Sequence, residues 1–595
     1  MNNRRRHILS WKDERPYGRL FFAACALVTA LQCFTVTWVT YPSPDITRPY
    51  DAFFIALANS LVLLSPYWLI SSKWRTTVWI PVAAVTLWAL TQVWYFRTYS
   101  DMMPPESYTL VSNLNGVVLQ STLDMMRPID LLIVVPALAL IVLHVALRRQ
   151  GSRHTLRGPS LKLWLTTLGA ALLLLMVANR YIFRDNGLDK LRANSHNYGN
   201  GIYFKQNGII PYFATTLHQT ATRTRTLSDA EQIEIARFIS NECPHYSDNP
   251  YGQPGKNLIL IIVESLHSWP IGYRVQGREV TPTLNRLADA DSTVTALRMV
   301  AQTSHGRSSD AHFMYNTGLL PLRDGAVAMS NGSQHYPTLA EALGSDYDCR
   351  EIIADKPWFW NQAATARTYG FDALYDADSL GTALERNHHV EDGAVMDFAS
   401  RLLPSLKQPF FLQIVTMTMH SPNKAGKVPD SWITQARLPI TDEGKHYLNE
   451  VHYLDSCLNK FLRRLMQSGL YRNTVVVIAS DHNSLNLNKV EGRKEAVSSD
   501  FEIPLIILNT PTTHHHRHVI GQVDVFPTLL DVTSANRYVW KGLGHSLLRY
   551  PVCSMVNHKG EATATSSPLL RQQRRAWDIS QMIITGGYDI TKTNH

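Results

Sequence analysis

The sequence predicts an α/β domain carried behind five transmembrane helices. Three observations lead there. The first 180 residues contain five apolar stretches of bilayer length. From residue 257 onward, short apolar runs alternate with helical periods. Those runs show no polar alternation, which marks strands covered by helices on both faces of a largely parallel sheet. The 595-residue length is too great for one core, so several domains are expected. A charged share of 18%, against roughly 25% in soluble domains, fits a chain that is partly membrane-embedded.

Residues 1–180 read as the transmembrane domain. Its N-terminus is basic, with Arg4, Arg5, Arg6, Lys12, Arg15 and Arg19. The apolar stretches are 20–41, 51–71, 76–96, 128–147 and 161–179. Core helices of soluble proteins are amphipathic, whereas these are apolar all round. Four further spans after the first argue against a cleaved signal peptide. Lys73, Arg75, Arg148, Arg149, Arg153, Arg157 and Lys162 lie in alternate loops, while the other loops hold few basic residues. The positive-inside rule then puts the N-terminus in the cytoplasm and everything after residue 180 outside. Trp38, Tyr41, Trp68, Trp74, Trp94 and Tyr95 fall near span ends, as interfacial aromatics do. The loop from Arg97 to Arg127 reads as lying along the outer membrane surface.

Residues 181–255 read as a juxtamembrane linker with one helix near Ser228–Ile239, where Ser228 and Glu231 form a capping-box pattern. Residues 256–555 read as the α/β domain. Its strands are expected at 257–263, 350–354, 410–416, 474–480 and 504–508, and its helices at 281–290, 338–344, 393–406, 445–468 and 524–533. The tail, 556–595, is polar and basic and is expected to be a surface appendage or partly disordered. Six cysteines make no disulfide framework, although Cys243, Cys349, Cys457 and Cys553 are free to pair. The net charge of +9 comes largely from loops beside apolar segments, so no nucleic-acid partner is implied.

Ligands in open α/β sheets gather at the carboxyl ends of strands. The run Asn257–Val263 ends on Glu264, and the run Thr474–Ser480 ends on Asp481 and His482. One such acid is an ordinary chain turning into solvent, but two strands ending on ligand-type side chains are less ordinary. Carboxylates with one imidazole suit Mn²⁺, Mg²⁺ or Zn²⁺. Thr303 is the candidate nucleophile, a weak one unless a metal lowers its pKa. Gly306 and Ser308-Ser309-Asp310 suit a tight turn into a helix, whose first amides favour a phosphate group. His305 is open to two readings, an acid or base in that loop or a solvent-facing side chain. The runs His514–His518 and His388-His389 read as solvated loops, and Asp372, Asp376 and Asp378 as loop caps.

Six stretches carry a family resemblance: Asn257–Ser265; Gln302-Thr303 with Gly306 and Ser308-Ser309-Asp310; Phe359-Trp360-Asn361; Thr416, Thr418, His420 and Pro422; Ser480-Asp481-His482; and Gly521–Leu530. Together they resemble the lipoteichoic acid synthase family, within the alkaline phosphatase and sulfatase superfamily, and the five preceding spans match its architecture. The resemblance implies a membrane-anchored enzyme with a sulfatase-like domain outside the cell membrane. It implies one Mn²⁺-like ion on Glu264, Thr303, Asp481 and His482, with Thr303 as nucleophile. It implies a phosphoglycerol head group bound by His420, Trp360 and Asp355. The donor would be a membrane phospholipid and the acceptor a glycan or glycolipid. The sequence departs from the family at Ile353, where His is usual, and at Gln362, where Arg is usual. Thr303-Ser-His-Gly-Arg307 lacks the proline of the sulfatase motif, which favours phosphotransfer. Phosphoethanolamine transfer, hydrolysis at the same site and a non-catalytic polymer-binding role are the rival expectations.

Overall fold

The computed structural model describes residues 17–40, 48–99, 102–103, 126–149, 159–178, 200–223, 226–243, 251–323, 325–357, 359–381, 390–421, 423–484, 502–535, 537–549, 555–563 and 567–592. The chain divides into two compact units, Met1–Thr222 and Arg223–His595.

In the first unit the long helices are α1 (Tyr17–Thr40), α2 (Pro49–Leu64), α3 (Trp79–Tyr99), α4 (Leu131–Arg149) and α5 (Leu161–Ala178). With their flanking 3₁₀ turns they give five segments long and apolar enough to cross a membrane. α1 lies against α2, α3 and α4, and α5 lies against α2. Leu132, Leu138 and Val142 on α4, and Leu165, Leu172 and Leu173 on α5, point outward, an arrangement that suits lipid rather than water. Polar side chains tie some of these helices together. Gln32 Nε2 donates to Thr86 Oγ1 at 2.8 Å and to the Ile133 carbonyl at 3.0 Å. Arg97 grips Asp130 in a two-pronged ion pair, at 2.6 and 2.9 Å.

Two more helices, α6 (Asn200–Asn207) and α7 (Ile209–Arg223), lie within the stretch expected to be a linker. The rings of Phe204 and Tyr212 stand 5.1 and 6.1 Å from that of Trp88 on α3. Between them Gly208 adopts φ +88°, and a Cβ there would lie 2.1 Å from Asn59 Nδ2. Asn59 in turn donates to the Asn207 carbonyl and accepts from the Ile210 amide. Residues 200–222 therefore pack with the spans. The Arg97–Arg127 loop falls mostly outside the described residues.

The second unit opens with α8 (Asp229–Glu242), capped as its sequence predicts: Ser228 Oγ accepts from the Glu231 amide, and Glu231 accepts from the Ser228 amide. The main strands are β1 (Asn257–Val263), β2 (Thr293–Val300), β3 (Asp348–Ile352), β4 (Ala373–Tyr375), β5 (Phe410–Val415), β6 (Thr474–Ser480), β7 (Glu502–Leu508), β8 (His514–His516) and β9 (Ile520–Gly521). Their order is β8-β2-β7-β6-β1-β5-β3-β4, with β9 also on β2. Only β7 among them runs antiparallel to its neighbours.

Every residue of β1 is buried because the sheet is covered on both faces. Leu258, Leu260 and Ile262 face a core that includes α9 (Ser308–Thr317), α12 (Val525–Val532) and α13 (Ser567–Gly586). Ile259, Ile261 and Val263 face α10 (Asp392–Leu402) and α11 (Asp442–Gln467). His514–His516, expected in a solvated loop, is an edge strand instead.

The tail also differs from the expected appendage. α13 buries Ala576, Trp577, Ile579, Ile583 and Ile584, and the Trp577 indole donates to the Val556 carbonyl at 2.8 Å. Trp577→Ala should therefore destabilise the protein by about 3–5 kcal/mol, read as a lower denaturation midpoint of the solubilised chain. Cys243, Cys349 and Cys457 are buried and form no disulfide among the described residues, and Cys553 lies outside them.

Glu351 on β3 is buried and accepts from Gln413 of β5 at 2.6 Å. Burial pushes its carboxyl up to about 7, which the Gln413 hydrogen bond only partly offsets. The fold prefers the protonated acid. That stability is complete below about pH 4.5 and is lost as pH rises through 7. Glu351→Gln should thus be more stable than the parent at pH 8, by up to about 3 kcal/mol, and no more stable at pH 4. Thermal melts at the two pH values check this.

Candidate active site

β1 and β6 pair in register, Val263 opposite Ser480, so Glu264 and Asp481 leave the sheet side by side. The Asp481 amide donates to the Val263 carbonyl at 3.0 Å, and the Glu264 amide donates to Thr416 Oγ1 at 3.1 Å. One ligand atom each from Glu264, Asp481 and His482 lies within 4.8 Å of the others, and all three residues are buried. His482 Nε2 is 3.8 Å from Glu264 Oε1 and 3.5 Å from Asp481 Oδ2.

The supporting bonds aim these atoms inward. Asp481 Oδ1 accepts from the Ser265 and His482 amides at 2.7 and 2.6 Å, leaving Oδ2 toward the imidazole. His482 Nδ1 donates to the Asn483 carbonyl at 2.8 Å, which leaves the Nε2 lone pair facing the carboxylates. Burial lowers the His482 pKa, and the Glu264 charge works against that shift. Burial, then the Glu264 charge, push the Asp481 carboxyl well above its usual range. Burial would raise Glu264 too, but the charges of His482 and His420 and the Ser265 hydroxyl, which donates at 2.5 Å, outweigh it and hold Glu264 low. Two buried carboxylates that repel each other beside an imidazole make a donor set suited to a divalent cation.

Thr303 is buried in the loop after β2. That loop closes on Asp310, whose Oδ2 accepts from the Ser304 and Gly306 amides at 2.8 and 3.0 Å. A Cβ at Gly306 would lie 2.1 Å from Asp310 Oδ1, so only glycine fits the turn. Arg307 follows at φ +47°, a strained conformation outside glycine. Its guanidinium lies within electrostatic reach of Asp310 and Asp481.

Asp355 and His420 share this site: both act on Glu264 electrostatically, and burial pushes Asp355 up to about 6. His420 is fixed through its carbonyl, which accepts from Lys427 Nζ at 2.6 Å while Lys427 pairs with buried Glu450. Trp360 is half-buried five residues beyond Asp355 with its ring against Phe359, and none of its described contacts reaches the cluster. His305 is exposed. Ile353 is fully buried, and Gln362 is buried with Oε1 lacking a hydrogen-bond partner. Asp372 and Asp376 cap loops as expected, and Asp378 pairs with Lys356. His388, His389 and Pro422 lie outside the described residues.

Four residues that the sequence assigned no role of their own at the site belong to it. Ser308 Oγ reaches Glu264 and His482. His312, one turn further along α9, is buried beside the same pair with Nε2 unpartnered, and burial pushes it down to about 4. The 308/312 spacing on one helix face was the available signal. Gln302 and Gln522 form a buried amide bridge. Gln522 Oε1 accepts from the Gln302 amide at 2.7 Å, and its Nε2 donates to the Asp481 carbonyl at 2.6 Å. No spacing in the sequence announces that bridge.

A family profile described as lipoteichoic acid synthase N-terminal domain matches residues 5–226, and a sulfatase profile matches residues 256–535. The chain thus carries a lipoteichoic acid synthase-type N-terminal domain followed by a sulfatase-type domain. Lipoteichoic acid synthase 2 of Bacillus subtilis is 25% identical over 503 residues, covering 80% of this chain and 74% of that protein. Lipoteichoic acid synthase of Staphylococcus aureus is 28% identical over 291 residues, 46% of this chain and 45% of that protein. The alignment thus spans less than half of the second relative. Among solved structures, the lipoteichoic acid synthase LtaP from Listeria monocytogenes is 18% identical with a TM-score of 0.48, over 59% of this chain and 98% of that one.

Proposed function

We propose that this chain is a membrane-anchored, metal-dependent phosphotransferase. It moves a phosphoglycerol-type group from a phospholipid such as phosphatidylglycerol to an extracytoplasmic glycan or polymer. The observation that carries this reading is the buried Glu264, Asp481 and His482 donor set at the ends of β1 and β6. The names of the relatives support the same reading. The basic N-terminus and loops favour a cytoplasmic N-terminus and a catalytic unit on the opposite side of the membrane.

Glu264, Asp481, His482 and Thr303 would hold the ion, with Mn²⁺ the preferred candidate and Mg²⁺ or Zn²⁺ also suited. The chemistry a divalent cation supplies there is charge neutralisation on the phosphoryl oxygens and an acidified Thr303 hydroxyl. Thr303 Oγ1 loses its proton and bonds to phosphorus. The phosphorus–oxygen bond to diacylglycerol breaks, and that oxygen takes up a proton. An acceptor hydroxyl then bonds to phosphorus, loses its proton and releases the reprotonated threonine. His420, Asp355 and Trp360 position the head group.

The test presents the detergent-solubilised chain with phosphatidylglycerol, phosphatidylethanolamine and an aryl sulfate. Release of diacylglycerol from phosphatidylglycerol alone, stopped by chelator, is expected. Preference for phosphatidylethanolamine or the sulfate ester would replace this reading with one of its rivals.

A further inference from the structure

Ser308 begins α9, and its hydroxyl stands inside the donor set. Oγ lies 3.2 Å from Glu264 Oε2 and 3.2 Å from His482 Nε2. A hydroxyl has one proton and two lone pairs. Here it faces two acceptors, because His482 carries its own proton on Nδ1. One proton satisfies one of the two, so lone pairs are left opposed, an arrangement that a cation among them would resolve.

The spacing agrees. Donors about 2.0–2.2 Å from a shared tetrahedral ion sit roughly 3.3–3.6 Å apart. His482 Nε2 is 3.5 Å from Asp481 Oδ2, and Ser308 Oγ stands at 3.2 Å from two of the set. The hydroxyl is also held in place. The Ser309 amide donates to the Gly306 carbonyl at 2.9 Å, the Ser309 hydroxyl donates to it at 2.7 Å, and Asp310 closes the same turn.

We propose that Ser308 is a direct ligand of the cation, supplying a hydroxyl donor beside Glu264, Asp481 and His482. This rests on the metal-dependent reading above and adds a residue to it. In that arrangement the Ser308 proton goes to a carboxylate and a lone pair goes to the ion. Thr303 and Ser308 then bring two hydroxyls to one centre from the two ends of a single turn.

The test is spectroscopic and needs no turnover. Ser308→Cys and Thr303→Cys are prepared in the full chain and loaded with Co²⁺, with bound cobalt counted per chain. A near-ultraviolet thiolate-to-cobalt charge-transfer band in Ser308→Cys is expected. Stoichiometric cobalt without that band, while Thr303→Cys shows one, overturns the Ser308 assignment and leaves the phosphotransferase reading intact. Titrations guard against a cysteine variant that binds no cobalt. Ser308→Ala should weaken ion binding by at least about tenfold, whereas Ser308→Thr should stay near the parent. A Ser308→Ala protein that binds as tightly as the parent also overturns the assignment.

Discussion

Thr303→Ala should lower phosphatidylglycerol turnover by a factor on the order of 10³ or more, the range seen when a covalent nucleophile is removed. The substitution deletes one hydroxyl and one methyl in a loop whose shape is set elsewhere. The Asp310 bonds to the Ser304 and Gly306 amides, and the Gln522 bond to the Gln302 amide, all use backbone groups that alanine leaves in place. Thermal stability and membrane insertion should therefore match the parent. Diacylglycerol release from the variant in vesicles, measured beside a thermal melt, checks both halves. Substantial turnover in a well-folded variant would exclude the covalent route.

Asp481→Asn has the second large expected effect. The amide oxygen can still accept from the Ser265 and His482 amides, so the local backbone should persist. The charge is lost, however, and an amide is a much poorer partner for a hard cation. Ion affinity should fall by more than about 100-fold, beyond the usual cost of disturbing an outer-shell partner, and activity should fall with it. The metal-free protein should behave in the opposite sense. Asp481 and Glu264 are buried like charges, and removing one relieves their repulsion. The metal-free variant is thus expected to melt no lower than the metal-free parent. Calorimetric ion titration and paired melts with and without chelator read the two effects separately.

Much of this arrangement was legible because of where apolar runs stop. Asn257–Val263 and Thr474–Ser480 are unbroken, and the residue after each is an acid, so β1, β6 and the Glu264 and Asp481-His482 ends could be read directly. β2 was not read, since Thr293, Thr295 and Arg298 interrupt its apolar content and a register shift follows Ala296. The antiparallel course of β7 is a matter of connection, which a run such as Ile503–Leu508 does not encode. α13 was hidden by composition: Arg571, Arg574 and Arg575 made the tail look like surface, while Ala576, Trp577, Ile583 and Ile584 kept a helical period beneath it. At the site, the candidate ligands at strand ends were visible. Ser308 and the Gln302–Gln522 bridge became visible only once the loop was folded against the sheet.

The central claim is that Thr303 carries the transferred group. Peptide mass spectrometry of the purified chain, after exposure to phosphatidylglycerol without an acceptor, tests it most directly. A glycerol-phosphate adduct on Thr303 is the predicted result. An adduct on Ser308 or another side chain, or none from an enzyme that is releasing diacylglycerol, would contradict it.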